Sequence, residues 1–169
     1  MRPLQRHHSL LRIDLFACPN LKYLPEFTFA LNPNLTTVVL PVNLLDISNG
    51  CFSHCSALTE VDFNLCLETI GAQAFQNCSA LTSITFPEKL TTIIHMAFYK
   101  CSGLNQVVFN KNLKTIGDYL FERCPNLEDV QLASSAVFFD DTAFCCCDRL
   151  IDIAAAAGFS SARLDKDGR

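Results

Sequence analysis

A chain of 169 residues, half apolar and 18% charged, is long enough for a continuous core and too apolar for wholesale disorder. Its net charge of −4 argues against the basic stripe of a nucleic-acid binder, and no apolar run approaches the roughly 20 residues of a membrane helix. With 14 Phe and no Trp, one aromatic type is expected to fill a recurring slot.

At the N-terminus, Arg2, Arg6, His7 and His8 resemble the charged start of a secretory signal, but Arg12 and Asp14 interrupt the apolar stretch that follows. The segment therefore reads as structure and not as a targeting sequence. With no signal peptide or transmembrane segment read, the sequence leans toward the inside of the cell. Leu10, Ile13 and Leu15 form half of a unit over about residues 10–20, and the unit after it spans 21–43. That second unit keeps Leu24, Phe29, Leu35, Val38 and Leu40 but has Asn32 where later units have Cys.

From there the chain repeats every 23 residues, in units 44–66, 67–89, 90–112, 113–135 and 136–158. Leu44, Leu67, Leu90 and Leu113 occupy one slot; Ile47, Ile70, Ile93 and Ile116 the next. Then come Phe52, Phe75, Phe98, Phe121 and Phe144, and after them Cys55, Cys78, Cys101, Cys124 and Cys147. Leu58, Leu81, Leu104, Leu127 and Leu150 follow, and the unit closes with Val61, Ile84, Val107 and Val130 before Phe63, Phe86, Phe109 and Leu132. A fixed period of this length means a stacked array, here a repeat solenoid read as one domain over 1–169. One unit alone cannot bury enough apolar surface to offset the entropy of ordering its backbone, so neighbours must cover each other.

Within a unit, Leu81-Thr-Ser-Ile84-Thr-Phe86 alternates like a strand, and stacked units align such strands in parallel. The Phe75, Cys78, Leu81 spacing of three suits a short helical or 3₁₀ turn. Gly71 and Gly117, or Ser48 and Asp140, stand where a cap or bend is wanted. Pro41 and Pro87 end their strands. The other side of the coil is expected to hold turns, short helices or a second short strand in the Leu-x2-Ile segment. Asp148 to Gly158 reads as a helix that caps the core, with Asp148 as N-cap and Gly158 as its stop. The polar tail 160–169 is expected to fray.

Ala74-Phe75-Gln-Asn-Cys78 and Leu81-Thr-Ser-Ile84-Thr-Phe86-Pro87 resemble the BspA-like class of leucine-rich repeats over roughly residues 10–153. The resemblance implies a leucine-rich-repeat right-handed coil, with a curved parallel β-sheet on the concave face and short helices or turns on the convex face. It also implies a non-enzymatic, protein-binding role of an adhesive or scaffolding kind, with no catalytic residues to carry over.

Ten cysteines invite a disulfide framework or a metal site. The column of five recurs with one inward direction and is read as a reduced core ladder, because Cys is among the most buried residues and parallel side chains do not meet disulfide geometry. Cys51 stands in the slot of Ala74, Ala97 and Ala143, a small core filler. Cys51-x2-His54-Cys55 resembles half a zinc site without a second half, so no metal or other cofactor is assigned. Cys145 and Cys146 align with Ser53-His54, Gln76-Asn77, Tyr99-Lys100 and Glu122-Arg123, and are expected to be more exposed than the ladder. Cys66 aligns with loop residues. His7, His8, His54 and His95 share no repeat position, and His54 and His95 are read as exposed. No catalytic residues are assigned.

The outward strand positions are Thr37 and Val39, Glu60 and Asp62, Ser83 and Thr85, Gln106 and Val108, and Asp129 and Gln131. They form a small, polar, mildly acidic strip without large aromatics, the candidate surface for a protein partner of basic or polar character. A solvated face is the competing reading of the strip. The leading expectation is a monomeric, non-catalytic interaction module. The alternatives are a structural spacer within a longer repeat protein and, more remotely, a thiol- or metal-binding protein.

Overall fold

A computed structural model of the protein describes residues 9–132 and 142–150. Among them the chain forms strands β1 (Arg12–Asp14), β2 (Tyr23–Leu24), β3 (Thr37–Val39), β4 (Asp46–Ile47), β5 (Glu60–Asp62) and β6 (Thr69–Ile70). The order continues with β7 (Ser83–Thr85), β8 (Thr92–Ile93), β9 (Gln106–Val108), β10 (Thr115–Ile116) and β11 (Asp129–Gln131). Each coil contributes a three-residue strand from its Leu-x2-[Ile/Val] segment and a two-residue strand from its Leu-x2-Ile segment. All pairs are parallel, and their registers join residues one repeat apart, as in Ile70 beside Ile93 and Val107 beside Val130. Among the described residues the result is a parallel β-solenoid of about five turns with almost no helix.

The two-residue strands stack without interruption as β10-β8-β6-β4-β2. The three-residue strands form two groups, β1-β3-β5 and β11-β9-β7, with no ladder pairing across β5 and β7. At this seam Val61 is only half-buried, whereas Val38, Ile84 and Val107 in the same slot are buried.

A third set of inter-coil bonds holds the remaining side, where the expected helical turn gives way to tight turns. Phe75 N donates to Ala97 O at 2.8 Å and Asn77 N to Tyr99 O at 2.9 Å, and the same bonds recur from coil to coil. The turn itself is closed by Cys78 N to Phe75 O and Leu81 N to Cys78 O, both 3.2 Å. To aim its N–H groups at the next coil, the backbone turns left-handed twice per unit, at Gln73 and Asn77, Met96 and Lys100, and Tyr119 and Arg123. Such φ values cost a non-glycine residue about 1–2 kcal/mol, and the inter-coil bonds hold them in place. Gly71 and Gly117 lie two residues before these positions and serve a different need. A Cβ on Gly117 would stand 2.2 Å from the backbone nitrogen of His95 in the preceding coil.

Inside the coils Phe29, Phe52, Phe75, Phe98, Phe121 and Phe144 stack with centroids 5.1–5.7 Å apart. Phe63 and Phe109 meet Phe75 and Phe121 edge-on, at 90° and 89°. Each such aromatic pair contributes about 0.5–1.5 kcal/mol beyond area burial. Leu132 departs from its slot: it is exposed, at the end of the last described strand. Residues 148–150 are helical, and Arg149 pairs with Glu128 at 2.8 Å. Residues 133–141, the rest of the segment expected to form the capping helix (151–158) and the tail 160–169 lie outside the described residues.

Candidate binding face

The strand ladders place the predicted strip in register. Thr37 lies beside Glu60 and Val39 beside Asp62 in one group. In the other, Ser83, Gln106 and Asp129 form one row and Thr85, Val108 and Gln131 the next. Glu60, Asp62, Ser83, Thr85 and Gln131 are exposed, and the other five are half-buried. The strip is therefore two registered patches that meet at the seam between β5 and β7. It also starts one coil earlier than expected: Arg12 pairs with Thr37 and Asp14 with Val39. The alternation in Leu10-x2-Ile13-x-Leu15 carried that signal.

The polar groups of the strip are partly organised. Asp129 accepts hydrogen bonds from Gln106 Nε2 at 2.7 Å and from Gln131 Nε2 at 2.9 Å. These two donors hold its carboxyl below the usual carboxylate range. Arg12 and Asp14 form an exposed ion pair at 3.4 Å, worth little in water.

Apolar anchors, absent from the strip as read from sequence, lie at its edge. A hollow of about 460 Å³ is bounded by Val39 and Asp62 of the strip together with Phe16, Val42, Asn64 and Leu65. Phe16 is 63% exposed and Leu65 78%, so two large apolar side chains stand in water beside the acidic residues. Asn64 Nδ2 is buried and has no hydrogen-bond partner, whereas Asn110, in the same slot two coils further on, donates to Pro87 O at 2.6 Å and Leu90 O at 3.0 Å. The loops after β7 and β9 carry Glu88, Lys89, Lys111 and Asn112 instead, so the apolar edge belongs to the N-terminal half.

The cysteines make no comparable site. Each thiol of the column donates to the carbonyl of a Phe in the preceding coil: Cys55 to Phe29 at 3.2 Å, Cys101 to Phe75 at 3.2 Å, Cys147 to Phe121 at 3.1 Å. Burial pushes the Cys55 and Cys147 thiols up to about 12 and those of Cys78, Cys101 and Cys124 well above the ordinary range. Protonated thiols are what the donor role needs. Asn32, in the Cys slot of its coil, instead donates its amide to Phe29 O of its own coil at 2.8 Å.

Cys145 differs from expectation: it is buried, while Cys146 is half-exposed. The slot it shares with Ser53, Gln76, Tyr99 and Glu122 is half-covered, so a long side chain emerges from it and a small one, Ser53 or Cys145, stays inside. Cys66 is half-buried in its loop. His54 and His95 are exposed. Among the described residues, no three His, Cys, Asp or Glu side chains converge as a metal site would require, and no helix is long and apolar enough to cross a membrane.

Residues 17–154 match the BspA type leucine-rich repeat region in six copies. The chain belongs to this family. Its proteins are interaction or structural repeat modules and are generally non-enzymatic. The leucine-rich repeat protein of T. pallidum superposes with a TM-score of 0.81 at 27% identity, over 89% of this chain and 69% of that one. A leucine-rich repeat protein from Bacteroides ovatus gives 0.70 at 29% identity, over 76% of this chain. A leucine-rich cell surface protein from Faecalibacterium prausnitzii gives 0.69 at 26%, over 80%. The chain spans 33% and 35% of the length of these last two. None of the curated proteins is significantly similar to the chain.

Proposed function

We propose that the protein is a non-catalytic interaction module that binds a protein partner on its concave strand face, in an adhesive or scaffolding role. The observation that supports this reading is the juxtaposition of the acidic positions Glu60 and Asp62 with the exposed Phe16 and Leu65 around one hollow. Binding energy concentrates where an apolar anchor is ringed by polar groups, and the acidic rim favours a partner segment that is basic with an aliphatic or aromatic anchor. Replacing Glu60, Asp62, Asp129 and Gln131 by Ala should weaken capture of the partner from the native source lysate. Undiminished capture would remove the strand face from the account.

A second reading, a spacer within a longer array, is favoured by the short share of the Bacteroides ovatus and Faecalibacterium prausnitzii structures that the chain spans. Flanking repeats in the full-length sequence, with no partner captured by the isolated chain, are the result it predicts.

A further inference from the structure

A trough of about 910 Å³ runs along the solenoid on a different side from the strand face. Its walls are two columns of residues that flank the buried cysteine column by one position on either side. One wall is the left-handed column that includes His54, Asn77, Lys100 and Arg123, at φ of 63°, 58°, 59° and 60°. The other is the column that includes Ser56, Ser79 and Ser102. Because the cysteine between them points inward, both neighbours point out, and repetition turns that alternation into a continuous channel.

The wall chemistry is cationic and hydroxylic. Lys100 Nζ and the Arg123 guanidinium lie 5.0 Å and 6.0 Å from the ring centre of Tyr99, which holds the two cations on adjacent coils. Arg123 has a long contact of 3.6 Å with Glu122 and keeps 55% of its side chain exposed. Asp148, at one end, is the only carboxylate among the described lining residues, and none of the strand-face acids lines the trough. Ser79 Oγ donates to Ser56 O at 3.2 Å, which leaves its lone pairs to accept an N–H from a bound backbone.

We propose that this trough binds an extended, acidic polypeptide segment, with carboxylates on Lys100 and Arg123 and its backbone along the serine wall. Coils stack about 4.8 Å apart, so the five steps between the end coils of the trough make roughly 24 Å, the span of about seven residues of extended chain. The site is separate from the strand-face site, and its charge selects the opposite kind of partner. A free amino acid or single carboxylate would fill too little of such a channel to bind well.

The test is fluorescence anisotropy with a labelled octapeptide of alternating Glu and Ser, titrated with the full chain at low salt. Saturable binding is expected. It should weaken about tenfold or more in Lys100→Glu/Arg123→Glu, and equally in Ser79→Trp, which blocks the channel without changing charge. Glu60→Gln/Asp62→Asn should bind as the native chain does, which separates this site from the strand face. Circular dichroism melts confirm that each variant is folded. No saturable binding to the native chain, or binding that Ser79→Trp leaves intact, overturns the proposal.

Discussion

Cys78 donates its thiol hydrogen to the carbonyl of Phe52, 3.3 Å away and 26 residues earlier in the chain. The same carbonyl already accepts the backbone N–H of Cys55 in its own coil. One Phe oxygen thus closes a turn within a coil and ties that coil to the next. The column is a structural ladder built from a weak donor that is small enough to fill a fully buried slot once per coil.

Removing one rung should be felt locally. Cys101→Ala loses the bond to Phe75 O and leaves a small void in a fully buried site. A loss of about 1–2 kcal/mol is expected, read from urea unfolding midpoints at constant m-value. Cys18→Ala, at an exposed position, should leave the midpoint unchanged.

The same burial predicts an alkaline limit. A buried thiol whose folded pKa is raised contributes stability that is fully present below its unfolded value and is lost as pH rises through the folded one. Taking the ordinary value of 9.0 and the value of about 12 for Cys55 and Cys147, stability should fall steadily from pH 9 toward 12. Circular dichroism melts across that range check it, and replacing ladder cysteines with Ala should flatten the slope while lowering stability at neutral pH.

Coil spacing is set partly by Gly117. A methyl group there would collide with the backbone of His95, which has no rotamer by which to escape. Gly117→Ala should therefore destabilise by about 1–3 kcal/mol. At Gly50, by contrast, the added Cβ would meet the exposed Phe27 ring, and the left-handed φ of 59° sets a cost of about 1–2 kcal/mol. Thermal melts of the two variants measure both.

On the strand face, the Asp129 carboxyl should titrate below an ordinary aspartate because Gln106 and Gln131 donate to it. Gln106→Ala should move its midpoint upward in a carboxyl-detected NMR titration. The direction of stability follows: a depressed folded value supports the fold above the unfolded value, and that support is lost as pH falls through the folded one.

The sequence makes the core legible because every inward slot keeps its residue type through the repeats. Leu44 to Leu113, Phe52 to Phe144 and Cys55 to Cys147 need no structure to be placed in columns. The left-handed corners were hidden because Gln73, Lys100 and Arg123 fill them where glycine would have signalled them, while Gly71 and Gly117 answer to backbone crowding two residues away. Of the candidate site, the ten outward positions followed from strand alternation alone. The hollow beside them did not, since Phe16, Val42 and Leu65 fall in connecting loops outside the slots and meet only when coils stack. Nor did the burial of Cys145, because alignment with Gln76 and Glu122 reports the polarity of a position and not the depth reached by a short side chain.

The most direct test of the strand-face account is site-specific photo-crosslinking to the partner captured from the source lysate. A benzophenone amino acid placed at Ser83 or Thr85, both exposed at the centre of the strip, should form the covalent adduct. The same group at Lys114, exposed outside the strip, should not. Adducts from Lys114 with none from Ser83 or Thr85 would contradict the account.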